Sequence, residues 1–179
     1  MLYLNYISTL YYYYSIDFNK FYKLENRQDI QQEVPIHKFV SDLKSGKLTK
    51  MILKTYNNKY LVAISGGGDL VMANQDNITP ETNLTFVPQG LDREKVVIGT
   101  SKNYFISTTD VGDHFLSAKT AYVIPNAQFE IIPIYPDKLA LKTNQGHYVV
   151  VDNTIVKGDS PSIKPEGIFT IVEVQEAKL

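Results

Sequence analysis

The chain repeats itself three times, and that constrains its fold more than any single motif does. The segments "KMILKTYNNKYLV" from Lys50, "KVVIGTSKNYFIS" from Lys95 and "KLALKTNQGHYVV" from Lys138 align without a gap. Each opens on lysine, with apolar residues one and three positions later: Met51 and Leu53, Val96 and Ile98, Leu139 and Leu141. A threonine follows at Thr55, Thr100 and Thr143. After a short polar link comes an aromatic, Tyr60, Phe105 or Tyr148, backed by an aliphatic residue. The starts are 45 and then 43 residues apart. Self-similarity at such a period marks a body built from copies of one supersecondary unit.

The units also end alike. "NLTFVP", "QFEIIP" and "IFTIVEV" align Phe86, Phe129 and Phe169, each with a partner two residues on at Pro88, Ile131 and Ile171. Alternation of this kind turns one set of side chains inward, as a half-buried strand requires. Two more short segments lie between, such as "KYLVAI" and "DLVMAN" across Gly66, Gly67 and Gly68. Glycines there supply positive φ for a hairpin link. Each unit thus holds four strands, about twelve in all. A lone unit would leave its apolar face and sheet edges unpaired. Three units closing on each other form a β-trefoil, whereas three blades are too few for a propeller. The expectation is an all-β β-trefoil over residues 50–179, with repeats at about 50–89, 95–134 and 138–175.

The third unit, "KLALKTNQGHYVVVD", resembles the repeat of the fascin-like β-trefoil family. Its matching residues are Lys142, Thr143, Gly146, His147 and Tyr148. The first unit matches at Lys54, Thr55, Lys59 and Tyr60, with Asn58 where the glycine would stand. The second has Gly99 for the lysine and Asn103 for the turn glycine. The resemblance implies a non-enzymatic binding module with a protein partner, of cytoskeletal (actin) type. It also implies that a single trefoil cross-links only by dimerising or through an extension. A carbohydrate-binding trefoil using exposed tyrosines is the alternative, although the chain has no tryptophan for the Gln-x-Trp element of lectin trefoils. A secreted toxin or effector domain is a third reading. The signature residues Thr55, Tyr60, Phe86, Thr100, Phe105, Phe129, Thr143, Tyr148 and Phe169 are assigned to barrel packing and turn geometry, with the aromatics filling equivalent core layers.

Eighteen basic residues against nineteen acidic ones give a net charge of −1. With only Arg27 and Arg93 as arginines, clustered phosphate neutralisation, and so nucleic acid, is not expected. No cysteine is present, so disulfides, thiolate nucleophiles and Cys-bearing zinc sites are excluded. "TTDVGDHF" offers Asp110, Asp113 and His114 at a spacing that suits a cation, but it reads first as a hairpin turn. "ISGGGD" lacks the following helix whose N-terminus a phosphate loop uses. No catalytic residue, cofactor or metal site is expected. "KGDSPSIKPEG" reads as a long surface loop where the third hairpin is irregular, with Asp159, Ser160 and Lys164 as partner contacts.

Ahead of the repeats, Ile36, Phe39, Val40 and Leu43 fall at i, i+3, i+4, i+7. This spacing predicts a short amphipathic helix over 36–45, with Pro35 in the first turn and Gly46 at the C-terminal cap, inside a 35–49 connector. "LENRQDIQQE" reads as an exposed, apolar-poor segment. Residues 1–34 form a tyrosine-rich extension with four consecutive tyrosines, Tyr11, Tyr12, Tyr13 and Tyr14, and no charge before Asp17. Its uncharged run is too short for a transmembrane span and lacks the basic start of a secretory signal. The expectation is burial of these tyrosines against the trefoil or across a homodimer, with weak membrane contact as the alternative. A cytoplasmic location is preferred, and export stays open.

Overall fold

The computed structural model describes residues 30–91, 93–109 and 114–175. The tyrosine-rich segment with Tyr11–Tyr14, and Asp110 and Asp113, lie outside the described residues. One compact unit spans Gln32–Glu173. The elements of the described residues are β1 (Ile30–Glu33), α1 (Ile36–Lys44), β2 (Thr49–Lys54), β3 (Tyr60–Ala63), β4 (Val71–Gln75) and β5 (Leu84–Gln89). Then follow β6 (Lys95–Gly99), β7 (Phe105–Thr108), β8 (Leu116–Thr120), β9 (Gln128–Ile134), β10 (Lys138–Thr143), β11 (Tyr148–Asp152), β12 (Ile155–Ser160) and β13 (Phe169–Gln175).

The first and fourth strands of each repeat build a closed barrel. β2 pairs with β5, β5 with β6, β6 with β9, β9 with β10, β10 with β13, and β13 returns to β2. Every pairing is antiparallel, and closure removes the barrel's sheet edges. The second and third strands form three hairpins, β3–β4, β7–β8 and β11–β12, each with a register shift just after its leading aromatic. The hairpins are tied in a cycle by three equivalent hydrogen bonds of 2.8 Å. Ala118 N–H donates to the Asp69 carbonyl, Gly158 N–H to that of His114, and Ala73 N–H to that of Thr154. The architecture is the β-trefoil that the repeats predict.

Register corrects the alignment of the repeat ends. Met51 faces Leu84, Val96 faces Phe129 and Leu139 faces Phe169. Leu84 is therefore the equivalent of Phe129 and Phe169. Phe86 instead matches Ile131 and Ile171, which face Leu141 and Leu53 as Phe86 faces Ile98. A two-residue slip keeps the inward face, so alternation alone cannot detect it. All three phenylalanines are fully buried.

The leading aromatics also differ from a uniform layer. Tyr60 is buried, whereas Phe105 and Tyr148 are half-buried. The bulge after them passes the inward position to Leu61, Ile106 and Val149, all of them buried.

Helix α1 forms where the spacing predicts it. Pro35, at φ −56°, sits just before its first turn, and the Ile36 N–H donates to the Pro136 carbonyl at 2.8 Å. Gly46 at φ +85° ends it: Gly46 N–H reaches the Leu43 carbonyl, and Lys47 N–H that of Asp42. That is a Schellman closure, which uses glycine's freedom at positive φ. Exposed Arg93 adds a further bond, from Nη1 to the Lys44 carbonyl at 2.7 Å. Ile36, Phe39 and Leu43 enter the barrel's own core, where Phe39 meets Phe86 edge to face at 5.2 Å.

Candidate partner-binding face

The three link turns between first and second strands share one design. In each, a buried threonine accepts the N–H four residues on: Lys59 to Thr55, Tyr104 to Thr100 and His147 to Thr143, at 3.2, 3.3 and 3.2 Å. The left-handed position is filled by Asn58, Asn103 and Gly146, at φ 63°, 63° and 88°. Asparagine tolerates that region, so the missing glycines of the first two repeats leave the turn intact. These threonines are spent on turn geometry.

What differs among the turns is the side chain after the threonine. It is Tyr56 in the first repeat, Ser101 in the second and Asn144 in the third. Tyr56 is 51% exposed. It stands between two open grooves of about 490 and 450 Å³. The first is lined by Glu33, Lys54, Asp137 and Lys138, the second by Asp152, Lys157, Asp159, Lys164 and Glu166. Asp152 pairs with Lys157 at 2.8 Å. A hydrogen bond with the Asp137 carboxyl, reinforced by that group's charge, holds the Glu33 carboxyl above the ordinary carboxylate range. Lys54 and Lys138 pull the other way.

Of the residues that the sequence proposes as contacts, Asp159 and Lys164 line the second groove. Ser160 does not: it is buried, and its hydroxyl donates to the Ser162 carbonyl at 2.7 Å. The "KGDSPSIKPEG" segment is not irregular. Its first part is strand β12, and Pro165–Gly167 is a 3-10 turn matched by Pro80–Thr82 and Pro125–Ala127 in the other repeats. Tyr56, Glu33 and Asp137 were not singled out from sequence. The departure of Tyr56 from Ser101 and Asn144 was the signal available for it.

The remaining motifs have structural partners. In "SGGGD", Gly67 and Gly68 commit their N–H groups to the Ile64 and Ala118 carbonyls, and the Gly66 carbonyl accepts the Thr100 hydroxyl at 2.7 Å. That is a hairpin link docked on the neighbouring repeat. Among the described residues, no group of three or more His, Asp or Glu side chains is arranged to hold a metal ion. No helix among them is long and apolar enough to cross a membrane.

No protein-family model and no curated protein matches the sequence. Among solved structures, the chain is similar to a designed 3-fold symmetric protein, ThreeFoil. The TM-score is 0.62 at 12% identity, over 70% of this chain and 99% of that one. At that identity the likeness speaks for architecture alone, and the architecture is a three-fold β-trefoil.

Proposed function

We propose that this chain is a non-enzymatic binding module whose contact face is centred on Tyr56. The observation that carries this reading is an exposed tyrosine placed between two shallow grooves of mixed charge. Tyrosine supplies a large, rigid contact area with a polar tip, and it is enriched where partners concentrate binding energy. Grooves with both signs of charge suit the polar rim of a protein interface. The fascin-like character of the repeat signature supports a cytoskeletal partner, with actin filaments as the probe. Co-sedimentation of the purified chain with filaments tests it. Pelleting is expected for the wild type and is reduced about tenfold or more in Tyr56→Ser, the residue type of the second repeat. No pelleting at any filament concentration would reject actin as the partner.

One observation favours a second reading. An exposed tyrosine face flanked by carboxylates and the Asn58 and Asn153 amides is also the chemistry that holds a sugar ring and its hydroxyls. Glycan-array binding lost in Tyr56→Ser, in a protein that ignores actin, would select it.

A further inference from the structure

We propose that His114 and His147 form a two-histidine site for a late divalent transition-metal ion, joining the second repeat to the third. Their imidazole centroids are 6.3 Å apart with planes inclined at 52°. An ion about 2.0–2.1 Å from a ring nitrogen lies about 3.2 Å from that ring's centroid, so two imidazoles with centroids 6.3 Å apart are within reach of one ion held between them. His147 Nδ1 is buried without a hydrogen-bond partner, as is the hydroxyl of Thr109, whose N–H bonds to Phe115 on the hairpin end that carries His114. A buried imidazole nitrogen left unpaired is costly, and an ordered water or a metal ion resolves it. A second imidazole at this distance points to the ion.

Both ligands stand on fixed backbone. The His114 carbonyl accepts the Gly158 N–H at 2.8 Å. The His147 carbonyl accepts the Thr143 N–H at 2.7 Å, and its own N–H reaches Thr143 Oγ1 at 3.2 Å. Preorganised ligands of this kind lose little freedom on binding. Two nitrogen donors select Cu²⁺, Ni²⁺ or Zn²⁺ over the oxygen-seeking Ca²⁺ and Mg²⁺. Water completes the coordination.

The test is calorimetric titration of the full chain with Cu²⁺ and with Zn²⁺, read beside electron paramagnetic resonance of the copper form. Expected are one ion per chain, a copper spectrum with two imidazole nitrogens, and a thermal midpoint that rises with added metal. His114→Asn, chosen because asparagine accepts the φ of 49° there, and His147→Gln each weaken binding roughly tenfold or more. His37→Gln, on the exposed face of α1, leaves binding unchanged. The absence of saturable binding overturns the proposal. So does unchanged affinity in either site variant, or loss of affinity in His37→Gln. Should a variant fail to fold, the wild-type copper spectrum still decides, because fewer than two coordinated imidazole nitrogens refutes the pair.

Discussion

Small residues carry much of the repeat-to-repeat contact, and Gly158 shows why. Ala73 and Ala118 occupy the equivalent places and make the equivalent hydrogen bonds. At Gly158 a Cβ would lie 2.7 Å from the Thr108 methyl and 2.8 Å from the Thr143 methyl. The restriction is spatial, since this glycine's backbone is not in the left-handed region. Gly158→Ala is therefore expected to destabilise the fold by about 1–3 kcal/mol through overpacking. Urea unfolding measures it, and a gain in stability would contradict the packing argument. Composition pointed the other way here, because Gly, Ser and Pro together read as a loop. The left-handed turn positions were legible: Asn58 and Asn103 stand where Gly146 does, and all three adopt positive φ. Tyr56 was not, because exposure depends on which strand flanks a turn and not on the residue itself.

At the scale of elements, α1 is the helix that precedes the repeats and, like β1, has no counterpart in them. Its apolar spacing predicted its start, its end to within one residue, and its buried face apart from the half-buried Val40. The pairing of Phe39 with Phe86 could not be read in advance, since aligning Phe86 with Phe129 hid its kinship with Ile131 and Ile171. Register now explains the larger residue: where two repeats place isoleucine, the first places a ring that meets the helix. Phe39→Ala is expected to cost roughly 3–5 kcal/mol, the usual range for deleting a fully buried phenylalanine. Phe39→Leu should recover part of that loss. Chemical denaturation of both variants checks the order, and a cost below that of an exposed substitution would show the helix to be dispensable to the core.

For the molecule as a whole, acidity should act through the β1 carboxyl. Folding raises the affinity of Glu33 for its proton, because Asp137 bonds to the protonated form and repels the ionised one. The folded chain then binds more protons than the unfolded chain in the window just above the ordinary carboxylate range. The contribution is complete below that range and is lost as pH rises through the raised value. Stability should fall slightly over that window, and by little, since Glu33 is exposed and solvent screens its interaction with Asp137. Glu33→Gln keeps a hydrogen-bonding group for Asp137 and removes the second charge, so its urea midpoint should exceed the wild type's at neutral pH and converge with it in acid. Midpoints measured between about pH 4 and pH 8 test this, and parallel curves would refute it.

The closed barrel and its cycle of hairpin bonds make three nearly interchangeable sectors, yet only one sector bears Tyr56, because Ser101 and Asn144 stand in the other two. Among the described residues, these three turns therefore carry one such platform. Partner binding at that face should saturate at one per chain and gain nothing from avidity on a multivalent target. Through that face alone the molecule would decorate a surface without gathering two of them together.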